Sequence, residues 1–459
     1  MSIVRLGAIG RFQFRLRLVY DDADPLVGAM AEVINLTADV FGVSREIPLT
    51  YVERANVDNK LIDNLSRDKH VIIYGSSKQG KTCLRRHCLN ESDYILVQCQ
   101  NTWDIAKLSE SILKSAGFEV EVSHSKTSDG KTKLQVKASG GFSFLGAGKA
   151  SAEASAGHDA GHSETRSFEP LTLDPGDPND LVRALKGIEF KKFIVLEDFH
   201  YLPQETQEHF AFALKTIHEI SKFTFIIVAV WREENRLIVY NGDLAGRVIS
   251  VDADMWTSED LDKVIVAGEQ LLNISFGSNF KRELISQALG SVYIVQDGCY
   301  RACKQFGINE TQSKSKEIPD NIDVKKLISD TIREQGARYT AFISNFAGGF
   351  QDTQLEMFKW ILYPILTSSV EELEKGLGYR QIRTAIQGKH PQGAGLNPGN
   401  LTQALTSIPA LQSKKNIKPF ILDYDQSNLR LSVVDKGFLI WLAVQDRTDL
   451  LSLIGLPPE

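Results

Sequence analysis

Residues 75–82 carry the clearest chemical pattern in this sequence. They read Gly-Ser-Ser-Lys-Gln-Gly-Lys-Thr and match G-x-x-x-x-G-K-[ST] in full, after an apolar run at 71–74 and before a helix-like stretch at 81–89. In such a loop backbone N–H groups cradle phosphates, and the helix N-terminus adds the positive end of its dipole. Lys81 is expected to reach the β- and γ-phosphates, and the Thr82 hydroxyl is expected to bind Mg²⁺. The residues predicted to bind nucleotide are Gly75, Ser76, Ser77, Lys78, Gln79, Gly80, Lys81, Thr82 and Cys83.

A pair of acidic residues follows a second apolar run. Glu197 and Asp198 come directly after Phe-Ile-Val-Leu at 193–196. An acid at the end of a neighbouring strand usually holds the metal ion beside such a loop. The usual order is Asp then Glu, and the reverse order here leaves two assignments open. Either Glu197 binds the metal and Asp198 orients the attacking water, which predicts hydrolysis, or Asp198 binds the metal and the base is missing, which predicts very slow turnover.

The elements that must position these residues alternate between strand-like and helix-like segments. Short apolar runs occur at 71–74, 94–99, 192–196, 223–230 and 248–251, and stretches with helical spacing separate them. Continuous apolar strands that alternate with helices predict an α/β fold with a parallel sheet covered on both faces.

A compositional break at 118–174 predicts an insertion in this sheet domain. Apolar residues alternate with polar ones on both sides of Asp129-Gly130, which favours a β-hairpin, and Phe142 and Phe144 could extend it to a third strand. A segment dominated by Gly, Ala and Ser follows, at 138–163. Two interpretations stay open, namely a flexible surface excursion and a β-extension that meets a neighbouring subunit or a partner.

The rest of the chain has a different character. No strand-like run is evident from 258 to the polar segment at 309–320, whereas helical spacing is evident up to 306. Three helical segments, two short strands and a final helix then follow from 355 to 444, which is the order of a winged helix-turn-helix. We predict an N-terminal extension (1–48), a P-loop domain (49–256), a helical lid (257–308), a linker (309–321) and a winged-helix domain (322–459).

The run Val-Leu-Glu-Asp-Phe-His-Tyr at 195–201 resembles the hydrophobic-Leu-Asp-Asp-aromatic-His element of STAND ATPases, which are relatives of the AAA+ and replication-initiator ATPases. The resemblance implies an ASCE-type P-loop core. It further implies that Arg232, after the 223–230 strand, senses the γ-phosphate, and that Arg247 completes the site of a neighbouring subunit. In this family a His-Asp pair at the start of the last helix contacts ADP. Here that position is Val434-Asp435, and Asp435 could serve only as a helix N-cap.

Composition excludes several classes of function. The 52 Lys and Arg against 58 Asp and Glu give a net charge of −6, which argues against a globally basic nucleic-acid coat. No run of about 18 apolar residues is present, so no membrane span is predicted. Five scattered cysteines make a disulfide scaffold improbable and favour the cytoplasm. The predicted winged helix carries 11 basic and 10 acidic residues from 355 onward, which leaves DNA binding open but weakly supported.

These observations lead to one hypothesis and one alternative. The hypothesis is a Mg²⁺- and ATP-dependent hydrolase of the AAA+/STAND group, acting as an oligomerising switch that controls a protein effector on a separate chain. By analogy with STAND proteins, a role in prokaryotic stress or anti-phage defence would fit. The alternative is a DNA-binding initiator- or loader-like ATPase that uses the winged helix on duplex DNA.

Overall fold

The computed structural model describes residues 3–5, 15–19, 30–42, 46–123, 133–138, 171–351 and 353–458. The chain forms two compact units. One contains residues 61–73 and 89–251 and is called the sheet unit. The other contains residues 1–60, 74–88 and 252–459 and is called the loop unit, because residues 75–82 belong to it.

The described residues form strands with the following bounds: β1 Ile3–Arg5, β2 Arg15–Val19, β3 Met30–Ile34, β4 His70–Tyr74, β5 Tyr94–Gln98, β6 Phe118–Ser123, β7 Lys133–Ala138, β8 Leu171–Leu173, β9 Phe193–Glu197, β10 Phe225–Val228, β11 Val248–Asp252, β12 Ile274–Phe276, β13 Lys316–Ile318, β14 Leu377–Gly378, β15 Leu422–Asp425 and β16 Arg430–Val433. Their α-helices have these bounds: α1 Thr37–Phe41, α2 Lys60–Leu65, α3 Lys81–Cys88, α4 Ile105–Ser115, α5 Pro178–Gly187, α6 Gln204–Ile220, α7 Arg236–Tyr240, α8 Ser258–Leu272, α9 Ser278–Gln287, α10 Val292–Gln305, α11 Val324–Arg333, α12 Gly336–Ala347, α13 Met357–Thr367, α14 Val370–Lys375, α15 Tyr379–Lys389, α16 Pro398–Thr406, α17 Ile408–Lys414, α18 Lys436–Ala443 and α19 Arg447–Leu453.

A five-stranded sheet in the order β11-β4-β10-β9-β5 forms the centre of the sheet unit. β10 pairs in parallel with β4 on one side and with β9 on the other, and β9 pairs in parallel with β5. Every residue of β4 and β10 is buried, as expected for strands covered on both faces. The predicted parallel α/β fold is confirmed. One strand, β10, separates β4 from the acidic strand β9, which is the arrangement that defines the ASCE type.

The insertion begins with the predicted hairpin. β6 and β7 are antiparallel, with Val120 opposite Val136, so their apolar side chains share one face. A third strand, β8, pairs with β7. The predicted turn at Asp129-Gly130, the strand suggested by Phe142 and Phe144, and the small-residue segment at 139–163 lie outside the described residues.

The loop unit contains an apolar core that extends from Val40 to Leu456. Three helices, α8, α9 and α10, occupy the stretch that was predicted as a helical lid. β12 and β13, which pair in parallel, lie where no strand was predicted, and β13 falls inside the predicted linker. Its residues Lys-Glu-Ile are too few and too polar for an apolar pattern, so only the pairing reveals the strand. Phe41 of α1 packs directly on Gly268 of α8, where a Cβ would lie 2.0 Å from the ring.

The C-terminal part of the loop unit has the predicted order of helices, a hairpin and a following helix, α18, after which α19 comes as well. β15 and β16 form the hairpin, and β14 adds a third antiparallel strand. Helices α11, α12, α14, α17 and α19 are additions that the sequence reading did not include. Among the described ranges, no helix has the length and apolar character needed to cross a bilayer.

Candidate functional site

The loop at 75–80 joins β4 to α3, as the motif predicted. Three of its residues have a positive φ, namely Gly75 (139°), Lys78 (59°) and Gly80 (80°). A Cβ on Gly75 would also lie 3.0 Å from the carboxylate of Asp254, so a glycine is required there by conformation and by space. The glycines of the motif therefore fit the sharp turns of a phosphate-binding loop.

Lys81 is the first residue of α3, and its side chain folds back over the loop. It is buried, and its ammonium group donates hydrogen bonds to the carbonyl oxygens of Gly75, at 3.0 Å, and Ser76. Thr82 is exposed. The cation is thus held at the concave side of the loop, where phosphate oxygens could replace the carbonyl acceptors.

Asp254 fixes the start of the loop, and the sequence analysis missed it. Its two carboxylate oxygens accept from the backbone N–H of Ser76 at 2.8 Å and from the Ser76 hydroxyl at 2.7 Å. Asp254 lies two residues after β11, and its own N–H donates to Asp252. An acid just beyond a strand end was the available signal, but nothing in the sequence pairs it with a serine 178 positions away.

Residues of the α9–α10 connection and of the C-terminal region contact the middle of the loop. The N–H of Ser77 donates to the carbonyl of Val434 at 2.9 Å. The Gln79 side-chain amide donates to the carbonyl of Gly290 at 3.1 Å. Two polar groups of the loop, the Ser77 N–H and the Gln79 amide, are thus hydrogen-bonded to residues more than 200 positions away in the sequence.

Lys78 extends this contact through its side chain. Its ammonium group lies 4.0 Å from the centre of the Tyr293 ring and 3.3 Å from the Gln335 side-chain oxygen. Burial lowers the pKa of Lys78, and the negative charge of Asp435 acts in the opposite direction. The cation therefore lies next to a ring and near the charge of an acid of the loop unit, while Lys78 itself stays exposed.

Asp435 is the centre of a small polar cluster. It caps α18 by accepting from the N–H of Gly437 at 3.0 Å, as the sequence suggested. It also pairs with the guanidinium of Arg338 and accepts from the Tyr339 hydroxyl at 3.2 Å. The position of the expected His-Asp pair is thus occupied by Val434, whose backbone carbonyl contacts the loop, and by Asp435. Besides capping α18, Asp435 contacts two further side chains.

A cluster of aromatic and charged side chains packs beside α3. The ring of Tyr51 stacks on that of His87 with centres 4.4 Å apart, and its hydroxyl donates to Asp58. The guanidinium of Arg54 lies 4.0 Å from the centre of the Trp256 ring and donates to a carbonyl at Ala253. Trp256 in turn donates to the carbonyl of Gln79 at 3.4 Å.

The acidic pair lies in the sheet unit, at the end of β9. Glu197 is the last residue of the strand and is buried, whereas Asp198 follows it in the left-handed conformation with φ 58°. The Gln98 amide, at the end of β5, donates to the Asp198 carboxylate. Burial, with the charges of Asp198 and Glu197, raises the pKa of the Cys99 thiol. Because parallel strands share their direction, β4 and β9 end at the same edge of the sheet.

The two predicted arginines have different surroundings. Arg232 lies four residues beyond β10 and directly follows the buried Trp231. Arg247 directly precedes β11 and forms an ion pair with Glu219 of α6 at 3.1 Å. The sequence analysis missed a third arginine, Arg236, which pairs with buried Glu233 and lies over the Trp231 ring. The proposed roles of Arg232 and Arg247 stay predictions.

Comparison with known proteins gives likeness at the level of the fold. The sequence matches no protein-family model and no curated protein. A Walker-type ATPase of Pyrococcus abyssi is 14% identical, with a TM-score of 0.46, over 88% of this chain and 100% of that chain. The Orc1 protein of Aeropyrum pernix, solved in complex with DNA, is 10% identical, with a TM-score of 0.42, over 91% and 97%. The RuvB Holliday junction branch migration motor of Thermotoga maritima is 12% identical, with a TM-score of 0.35, over 84% and 94%.

All three TM-scores are below 0.5, so the fold class rests on the chain's own strand order and loop. A parallel sheet with an extra strand between β4 and β9, and a GKT loop between β4 and α3, define a P-loop NTPase core of the ASCE type. The expected resemblance to P-loop ATPases is confirmed at this level.

Proposed function

We propose that the protein is a Mg²⁺- and ATP-dependent switch of the AAA+/STAND kind. The observation that carries this proposal is the contact of the phosphate-binding loop with the C-terminal region through Ser77 and Val434. Lys78 adds to it from within the loop, beside Asp435. A nucleotide that reshapes the loop would change these bonds, and the C-terminal region would respond to whether ATP is bound.

The loop would hold the triphosphate with its backbone N–H groups and with Lys81. Thr82 would hold Mg²⁺ together with Glu197, and this metal ion would neutralise charge on the phosphates. Since Glu197 ends β9 and Asp198 follows it, we favour Glu197 for the metal and Asp198, held by Gln98, for orienting water. This assignment gives slow hydrolysis rather than none.

Assembly into a homo-oligomer would follow from ATP binding. Arg232 would report the γ-phosphate within one chain, and Arg247 would leave Glu219 to reach the nucleotide of a neighbour. Following the resemblance to STAND proteins, the effector would be a separate protein chain, with prokaryotic stress or anti-phage defence as the setting.

The test is the molar mass in solution. Size-exclusion chromatography with light scattering should give a larger mass with Mg²⁺ and a non-hydrolysable ATP analogue than with ADP. Lys81→Ala should keep the ADP mass under both conditions. An identical mass in both nucleotides, unaffected by Lys81→Ala, would sink the oligomeric-switch proposal.

A second candidate is the DNA-binding initiator or loader. It is favoured by Lys414 and Lys415, which have no carboxylate partner in the described part of the chain. Against it, α16, in the position of a recognition helix, contains neither Lys nor Arg. Salt-dependent binding of duplex DNA that is lost on replacing Lys414, Lys415 and Lys418 with Ala, but kept in Glu197→Gln, would favour this candidate.

A further inference from the structure

A cavity of about 390 Å³ opens in the C-terminal region and shares no residue with the phosphate-binding loop. It lies between the segment that joins α12 to α13 and the face of α16. Its volume is near the lower end of the range for small-molecule sites, about 300–1,000 Å³. A ligand of mononucleotide size fits this space better than a dinucleotide.

Two aromatic rings line the cavity. Phe350 and Phe358 are both half-buried and meet edge to face, with centres 5.5 Å apart. Phe358 is in turn held by the buried ring of Phe346, with centres 5.7 Å apart. The rings are thus fixed from behind and still accessible, which suits a planar ligand that stacks.

Four side-chain amides complete the lining. They belong to Gln351, Gln354, Asn400 and Gln403. Their amide groups have no hydrogen-bond partner among the residues that the structure describes. An amide presents a donor and an acceptor side by side, which is the pattern that matches the edge of a nucleobase.

The charge at the rim favours an anion. The Lys414 ammonium lies 5.3 Å from the centre of the Phe350 ring, and that of Lys415 lies 3.9 Å from where a Cβ on Gly348 would be. Among the lining residues that the structure describes, the acid is Glu356, and it pairs with Lys359 at 2.7 Å. Two cations without a carboxylate partner in the described ranges therefore stand beside a cavity lined by rings and amides.

We propose that this cavity is a second ligand site, which binds a mononucleotide-class molecule consisting of a planar heterocycle and a phosphate. The heterocycle stacks between Phe350 and the α16 face, the amides of Asn400 and Gln403 contact its edge, and the phosphate pairs with Lys414 and Lys415. The site would give the protein a small-molecule input separate from the loop that binds ATP.

The test uses the full-length chain with Lys81→Ala, so that binding at the phosphate-binding loop is suppressed. AMP, GMP, CMP and UMP are titrated by calorimetry, with adenosine and inorganic phosphate as partial ligands. At least one mononucleotide should bind saturably and more tightly than either partial ligand. Hydrogen exchange should show protection of 348–358 and 398–407 when it is bound.

Variants locate the site. Phe350→Ala should weaken binding at least about fivefold through loss of stacking, and Lys414→Ala should weaken it about tenfold through loss of the charge-assisted bond. Phe212→Ala and Lys325→Ala, which replace an exposed ring of α6 and an exposed lysine of α11, serve as matched controls and should bind normally. Because Lys414 is exposed, its replacement leaves the fold intact even if Phe350→Ala does not.

Three outcomes would overturn the proposal. The first is that none of the four mononucleotides binds. The second is binding that both cavity variants leave unchanged, which would place the ligand elsewhere. The third is displacement of the mononucleotide by duplex DNA with the same dependence on Lys414, since that would make the cavity part of a nucleic-acid surface.

Discussion

The substitution Asp435→Asn should weaken the contact between the phosphate-binding loop and the C-terminal region. It replaces one carboxylate oxygen with an amide NH₂ group. The carboxylate of Asp435 is almost fully buried and pairs with Arg338, whose side chain is 28% exposed. Asparagine keeps the helix cap, because it accepts from the Gly437 N–H as well as aspartate does. The substitution therefore removes the charge while preserving the start of α18.

The magnitude follows from this geometry. The part of this charge that acts across the contact is its attraction for Lys78, and an ion pair with an exposed lysine contributes about 0.2–1 kcal/mol. A loss of about 0.8 kcal/mol multiplies the ratio of open to closed contact by roughly 4. If the closed contact competes with nucleotide, the apparent affinity for ATP rises by up to that factor.

The assay is a fluorescence titration with a methylanthraniloyl ATP analogue, supported by thermal unfolding. Asp446→Asn is the matched control, since Asp446 also caps a helix, α19, but belongs to no contact with the loop. The reasoning is refuted if Asp435→Asn binds the analogue no more tightly than Asp446→Asn does. A lower unfolding temperature alone would mean that Asp435 serves stability and nothing else.

Three other predictions concern the site and the sheet. Lys81→Ala should weaken ATP binding at least about tenfold, measured by the same titration, because the charge-assisted bonds to phosphate are lost. Asp198→Asn should bind ATP normally but turn it over about 100-fold more slowly in a phosphate-release assay, and Glu197→Gln should need more Mg²⁺. Unaltered turnover in Asp198→Asn removes Asp198 from both roles. Burial lowers the pKa of His70 to about 3, so the unfolded chain takes up a proton below about pH 6.5 that the folded chain does not. The free energy of unfolding should fall by about 1.4 kcal/mol per pH unit from pH 6.5 toward 3, measured by urea titration at pH 7 and pH 5. His70→Asn should flatten this dependence, whereas His209→Asn, at an exposed position, should not; equal slopes in both variants would contradict the assignment.

Much of the core could be predicted because its signals are local. One of the helical stretches between the apolar runs is α6, and the apolar runs became the five strands of the sheet. Burial on both faces makes such strands continuous in apolar residues, so the pattern is visible in a single sequence. Short strands that depend on a distant partner, such as β12 and β13, leave no comparable pattern.

The contacts of the site were less predictable, because backbone groups make several of them. The backbone carbonyl of Val434 accepts a hydrogen bond from the Ser77 N–H. Because every residue has such a carbonyl, the residue type at 434 does not reveal this bond. The residues at 433–435 therefore showed only that the histidine of the expected His-Asp pair is replaced by valine. They did not indicate the hydrogen bond between Val434 and Ser77. The cavity beside α16 is likewise invisible in sequence, since its lining comes from two separate segments.

The sequence by itself determined the phosphate-binding loop, the acids at the end of β9 and the order of strands and helices, since each depends on neighbours within a few residues. Only the tertiary structure decided that Asp254 holds Ser76, that the C-terminal region bonds to the loop, and that rings and amides line one cavity with two lysines beside it. The physical reason is distance along the chain. Hydrogen bonds and cavities are set by the packing of remote segments, and a one-dimensional pattern records only the short-range preferences of each segment.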